Sequence, residues 1–248
     1  KTREKLGEAC EFLYDTAKSG GTILFVGLKR VSDELIQEEA RRCGAMYITG
    51  RWLGGLLTNF SEVSKNISKL ERLEVRLSEG EFDHYTKREQ LEIRREIARL
   101  EKLVGGMRGL SKLPDAIFLA SAKRGKTAVR EASSLGIPVV AIVDSNTDPR
   151  PIDYPIPGND DSLKSLLLLV KVITNAVEAG RQGLEGKAQE REGKVSVGEL
   201  ELGVRAKSAL EKAGIKSLKK LRELSEEELL KIKGIGEKTV EEITKAIR

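Results

Sequence analysis

Histidine is almost missing from this chain of 248 residues: His84 is the one example, set in the polar stretch EGEFDHY. Catalysis of the Ser/His or Cys/His kind has no constellation to draw on. Cysteine is nearly as scarce, since Cys10 and Cys43 stand alone and at no metal-ligand spacing. Both read as reduced thiols packed as small apolar groups, in a cytosol-like compartment. Long apolar runs are also absent, none exceeding Leu166–Val170, far short of the ~20 residues a spanning helix needs. The first residues, KTREKLGEAC, have no signal-peptide h-region. A soluble intracellular protein is the expectation, large enough for one big domain or two smaller ones.

What is present leans basic. Lys and Arg total 44 against 39 Asp and Glu, a formal net charge of +5. That balance is compatible with a nucleic-acid partner without requiring one. The single tryptophan sits in RWLGGLLTNF, Arg51 to Phe60, beside an arginine and ahead of a Gly54-Gly55 pair. Glycines there permit a tight turn or a close approach. Arg51 and Trp52 offer a phosphate fork and a stacking plane. The competing reading makes Trp52, Leu53, Leu56 and Leu57 a buried connection.

Taken in order, apolar positions at Leu6, Ala9, Cys10, Leu13 and Ala17 predict a helix over 5–18. TILFV, Thr22 to Val26, has the length and composition of a buried strand. Ser32 reads as the N-cap of a helix SDELIQEEARRCG that Gly44 stops. Ala45 to Ile48 is the second strand, and a strand, helix, strand unit implies a parallel sheet. From Ser61 to Val104 the apolar residues recur at three and four, in two segments, with ten basic and ten acidic residues. This pattern predicts an antiparallel coiled-coil hairpin over 61–104, inserted between strands and largely solvated on its charged faces. DAIFLA, Asp115 to Ala120, is a third strand, a helix follows from Thr127 to Leu135, and IPVVAIV is a fourth strand. Pro138 marks that strand as an edge, or marks its first position. Four of the six prolines fall in DSNTDPRPIDYPIPGNDDS, an ordered extended loop or a short fifth strand. A helix from Asp160 or Asp161 to about Gly180 completes an α/β fold. Residues 181–194, polar, Gly-rich and without period, read as a linker to a small helical domain over 195–248.

SAKRGKT, after a strand and before a helix, invites a nucleotide-binding P-loop reading. The motif G-x-x-x-x-G-K-[ST] would need glycine at Ala120, where a Cβ obstructs the backbone curl. Asp144 could serve as the magnesium-holding acid of such an enzyme, but no second feature singles it out. Asp144, Asp148, Asp160 and Asp161 could seat a divalent ion, yet caps and Asx-turns beside prolines explain them more cheaply. The cations Lys123, Arg124, Lys126 and Arg130 suit a polynucleotide backbone equally well.

The blocks FVGLKR, RWLGGLLTNF, LPDAIFL, LGIPVVAIVDSNTDP and DYPIPGNDD occur in one order over 1–180. In that order they resemble the signature blocks of the bacterial small-subunit ribosomal protein S-two family. The resemblance implies a flavodoxin-like parallel sheet with the protruding coiled coil. It also implies a non-enzymatic structural role, cytoplasmic and on the ribosome, bound to small-subunit rRNA between head and body. Neighbouring small-subunit ribosomal proteins, S-one among them, would be partners; no cofactor, metal, membrane or small-molecule substrate is implied. The family's opening block around a Phe-Gly-His segment is not among these residues. A His-Glu pair usual after the third strand is replaced by Arg124-Gly125, so a metal role for that histidine is not carried over. The expected rRNA contacts are Lys29, Arg30, Arg51, Trp52, Gly54, Gly55, Asn59, Arg108, Lys123, Arg124, Lys126, Arg130 and Arg150.

The tail from Leu200 to Arg248 resembles the C-terminal domain of the RNA polymerase alpha subunit, with paired helix-hairpin-helix turns. Arg205 and Lys238 match basic positions of that family, while Ser208 replaces a contacting asparagine. Gly234-Ile235-Gly236 would leave N–H groups at a helix start for phosphate. Arg205, Lys207, Lys233, Gly234, Gly236 and Lys238 are the expected nucleic-acid contacts of this all-α module, which otherwise reads as a protein-binding helical domain.

Overall fold

A computed structural model describes residues 1–194, those at 185–194 by backbone only, and individually Leu210, Ala213, Gly236 and Thr239. The molecule divides into two units, Lys1–Gln182 and Gly183–Arg248. In the first, α1 (Thr2–Lys18) precedes β1 (Ile23–Gly27), α2 (Arg30–Arg42) and β2 (Met46–Thr49). Then come the helices α3 (Phe60–Ser78) and α4 (Lys87–Val104), and β3 (Ala116–Leu119), α5 (Lys126–Ser134), β4 (Val139–Val143) and β5 (Tyr154–Pro157). The last element, α6, runs Leu163–Lys194.

The five strands pair in parallel in the order β2-β1-β3-β4-β5. This is the flavodoxin-like order, with its switch point between β1 and β3. The interior strands β1, β3 and β4 are buried at every position, whereas the edges β2 and β5 are half-buried. Strand alternation divides the core in two. Ile23, Phe25, Ala116, Phe118, Val140 and Ile142 join α1, α2 and α6. Leu24, Val26, Ile117, Leu119, Val139 and Ala141 join α5, the root of the hairpin and the apolar residues of RWLGGLLTNF.

The hairpin forms as its period dictates. Val63, Ile67, Leu70, Leu100 and Val104 bury the seam near the sheet, and Lys69 reaches Glu96 across it at 2.7 Å. Thr86 caps α4 in a reciprocal box with Glu89. At the tip Phe82 is buried beneath the Arg76 guanidinium, 4.8 Å from its ring centre.

Four expectations are settled or corrected. Ser32 does not cap α2, which starts two residues earlier after Lys29; its hydroxyl donates back to the Lys29 carbonyl at 2.9 Å. Pro138 stands just before β4, an interior strand, so its missing N–H falls before the ladder begins. The proline-rich stretch contains β5, and Pro155 and Pro157 are tolerated there because β5 is an edge. Residues 181–194, expected as a linker without regular structure, are helical and continue α6. The Arg, Gln, Leu, Glu, Lys and Ala between their glycines are all good helix formers, and together they outweigh the glycine cost. The helix-hairpin-helix expectation for 195–248 falls outside the described residues, apart from the four single positions.

Candidate nucleic-acid interface

In a parallel sheet of this order the loops leaving the strand C-termini gather along one edge. The β2–α3 connection, which contains RWLGGLLTNF, is folded around a carboxylate from α5. Glu131 Oε1 accepts the Trp52 indole N–H at 3.0 Å and the Gly55 amide at 2.9 Å. Its Oε2 accepts the amides of Leu57 at 3.0 Å and Thr58 at 3.3 Å, and the Thr58 hydroxyl at 3.4 Å. Gly55, at φ +85°, turns the backbone so that these donors converge. Burial pushes the Glu131 carboxyl up, but the donors from Trp52, Leu57, Gly55 and Thr58 outweigh it and hold the group below the usual range.

This geometry revises the expected contacts of the loop. Trp52 is buried, 9% exposed, with its N–H committed to Glu131, so it offers no stacking plane. The Gly55 amide likewise points inward. Arg51, Gly54 and Asn59 face solvent, Gly54 with open space where a Cβ would sit.

A second buried carboxylate organises the β1–α2 and β5–α6 loops. Lys29 Nζ lies 2.6 Å from Asp160 Oδ1 and 2.8 Å from Asp161 Oδ1, and it also donates to the Asp160 carbonyl. The Ser121 hydroxyl donates to the other Asp160 oxygen. Burial pushes the Asp160 carboxyl up, yet Lys29 and Ser121 bring it below its ordinary value. Burial lowers the Lys29 ammonium, and the two carboxylates raise it further than burial depresses it. Lys29 is therefore an internal ion-pair partner, with a side chain only 12% exposed. Asp144, Asp160 and Asp161 bring carboxylate oxygens within 4.8 Å of one another, and Lys29 reaches two of the three, Asp160 and Asp161. Asp148 holds Arg150 in a two-pronged pair at 2.8–3.0 Å. Arg108 is similarly taken, by Glu74 and Glu101 of the hairpin.

Six of the expected cationic contacts remain exposed and form no ion pair among the described residues: Arg30, Arg51, Lys123, Arg124, Lys126 and Arg130. Arg30 opens α2 behind β1, Arg51 follows β2, Lys123 and Arg124 follow β3, and Lys126 and Arg130 lie on α5. The same edge weakens the P-loop reading. The Ala120 amide donates to the Val26 carbonyl and that of Ala122 to the Ile142 carbonyl, each at 3.0 Å. These bonds tie the start of SAKRGKT to the sheet and leave only a short turn, Lys123–Gly125, too brief to wrap a triphosphate.

Sequence reasoning missed Glu131. Its signal was an acid among Ala128, Val129 and Ala132 on the apolar face of a short helix. In the tail, Arg205, Lys207, Lys233, Gly234 and Lys238 lie outside the described residues. Gly236 is exposed, and its carbonyl accepts the Thr239 amide at 2.8 Å.

Comparison with known proteins follows the same division. A family model described as ribosomal protein S2 matches residues 1–180, and one for the C-terminal domain of the bacterial RNA polymerase alpha subunit matches 185–248. The small ribosomal subunit protein uS2 of Geotalea uraniireducens (strain Rf4) is 46% identical over 189 residues, covering 76% of this chain and 74% of that protein. That of Dictyoglomus thermophilum is 45% identical over 188 residues, covering 76% of each. The protein belongs to the ribosomal protein S2 family, and behind the family's domain it carries a segment similar to the C-terminal domain of the RNA polymerase alpha subunit.

Proposed function

We propose that the protein is a structural, non-enzymatic constituent of the small ribosomal subunit that holds small-subunit rRNA through its phosphate backbone. The observation that carries this reading is the set of six cations without an ion pair among the described residues, Arg30, Arg51, Lys123, Arg124, Lys126 and Arg130, on loops and helices at a single edge of the sheet. A-form RNA hides its base edges in a deep, narrow major groove, so fixed cations reading backbone shape are what such a partner demands. Lys29, nearly buried, and Arg108 and Arg150, at the surface, are each already answered by a carboxylate of the protein, so the phosphate contacts fall first to the other six. Neighbouring ribosomal proteins, with S-one as a candidate, and a seat between head and body complete the proposal for residues 1–180.

Arg51→Glu combined with Lys126→Glu is expected to block incorporation into small subunits and to remove salt-sensitive binding to small-subunit rRNA. Normal incorporation of the double variant would overturn this surface.

For residues 195–248 the match to the polymerase alpha-subunit domain favours a nucleic-acid contact in addition to, or instead of, a protein one. The full-length protein and one ending at residue 194, compared on rRNA and on duplex DNA at matched salt, separate the possibilities. Loss of rRNA affinity on truncation supports an extra ribosomal seat, and loss of DNA affinity alone supports a DNA-binding module.

A further inference from the structure

We infer that Glu131 is the positioning residue of this interface, binding the β2–α3 loop to α5 so that Arg51 on the one and Lys126 and Arg130 on the other form one fixed cationic surface. The inference rests on the rRNA-binding reading of that edge. An acid next to Arg130, on a helix whose exposed charges are otherwise cationic, is electrostatically out of place beside a phosphate backbone. Its burial resolves the conflict: Glu131 is 8% exposed, and its charge is met by four N–H groups and a hydroxyl of the loop.

The bonds also explain the loop's shape. Residues 50–59 contain no helix or strand; the amides of Gly50, Arg51, Leu56 and Asn59 donate to backbone carbonyls, while others have no ladder to satisfy them. Three of those donors, at Gly55, Leu57 and Thr58, turn onto one carboxylate instead. The loop is an anion-binding concavity of the kind that elsewhere holds phosphate. Here it is filled by the protein's own side chain, so the backbone is fixed before RNA arrives and the phosphate contacts fall to Arg51. Preorganisation of this kind reduces the ordering cost of binding.

Glutamine at position 131 is nearly isosteric but cannot replace the carboxylate. Whichever way its amide turns, an NH2 group faces either the Trp52 and Gly55 donors or the Leu57 and Thr58 donors. The test is a double-mutant cycle on the full-length protein, with a small-subunit rRNA transcript as the probe, at a temperature where every variant is folded. Arg51→Ala should weaken binding and reduce the slope of log K against log salt by about 1. Glu131→Gln should give a comparable loss in the Arg51 background and almost none once Arg51→Ala is present. Against Lys126→Ala, which lies on the helix and not on the loop, its effect should persist in full. Trp52→Phe removes one donor while leaving the carboxylate in place, and serves should Glu131→Gln not fold; its smaller loss should also vanish with Arg51→Ala. A purely architectural role would lower thermal stability yet leave the salt slope and the coupling unchanged, and that result overturns the inference. If Arg51→Ala and Lys126→Ala themselves bind rRNA like the unaltered protein, the interface reading fails first and takes this inference with it. If both weaken binding and Glu131→Gln is additive with Arg51→Ala, the interface stands and the positioning role is refuted.

Discussion

Glu131 and Asp160 are both carboxylates almost withdrawn from water at the same edge of one sheet, 8% and 1% exposed, and they are neutralised in opposite ways. Glu131 is met by dipoles: an indole N–H, three backbone amides and a hydroxyl. Asp160 is met by a full charge, the Lys29 ammonium, with help from the Ser121 hydroxyl. A carboxylate satisfied by its loop's backbone leaves that loop's cation, Arg51, to face outward. One satisfied by a lysine withdraws the lysine from any outside partner. The cations of the two loops are thus treated differently: Arg51 is presented, whereas Lys29 is withdrawn and leaves only its neighbour Arg30 exposed.

The largest effect should come from breaking the charged pair. Asp160→Ala leaves the nearly buried Lys29 ammonium with only the exposed Asp161 carboxylate and strips the Ser121 hydroxyl of its acceptor, and is expected to cost about 3–5 kcal/mol, read from denaturant midpoints. Lys29→Met with Asp160→Leu should recover most of that loss, because apolar residues of similar volume commonly replace a buried ion pair at little cost. Glu131→Ala comes next, at about 2–4 kcal/mol, since several buried donors lose one shared acceptor and water can reach some of them. No single partner substitution should rescue it, for most of its donors belong to the backbone. Equal rescue of both sites would erase the distinction between them.

Much of this architecture was legible because it is written locally. ILFV, AIFL and VVAIV are continuous apolar runs of strand length, and they became the buried interior strands. The hairpin's spacing of Val63, Ile67 and Leu70 likewise fixed its seam. The identity of the outward cations was not local. Lys29 and Asp160 are 131 positions apart, so no window of sequence shows that this cation is already paired, and of the two partners of Arg108 only Glu101 is near in sequence, Glu74 being 34 positions away. Arg150 and Asp148 are only two apart, and that pair could have been anticipated. Glu131 was hidden for another reason: its partners are mostly backbone amides, which every residue but proline carries.

Acid should weaken both carboxylate sites, by less than the substitutions because protonation preserves shape. Glu131 and Asp160 have carboxyls held below their unfolded values, so each contributes stability that is complete above the ordinary carboxylate range. That contribution is lost as pH falls through the depressed folded value. Lys29 is raised, so its contribution is present at neutral pH and is lost only as alkali passes its folded value. Chemical denaturation from neutral pH downward should show Glu131→Gln with a flatter stability curve than the unaltered protein. Lys29→Met with Asp160→Leu should flatten at both the acid and alkaline ends. An alkaline change in Glu131→Gln would contradict the assignment of that site to dipoles alone.

The smallest effect on the fold, and the sharpest on function, separates two exposed arginines. Arg51 has no acidic partner among the described residues, whereas Arg150 is gripped by both oxygens of Asp148. Arg51→Ala should change stability by no more than about 0.5 kcal/mol, as surface substitutions usually do. It should still reduce the salt slope of rRNA binding by about 1, because a cation that displaces counterions has been removed. Arg150→Ala should leave that slope close to its original value, since Asp148 already answers the charge. Asp148→Ala carries the contrast through: releasing Arg150 should steepen the slope if the β4–β5 loop lies within reach of the RNA. Measured on one rRNA transcript across a salt series, equal slopes for Arg51→Ala and Arg150→Ala would show that internal pairing does not decide which cations this edge presents.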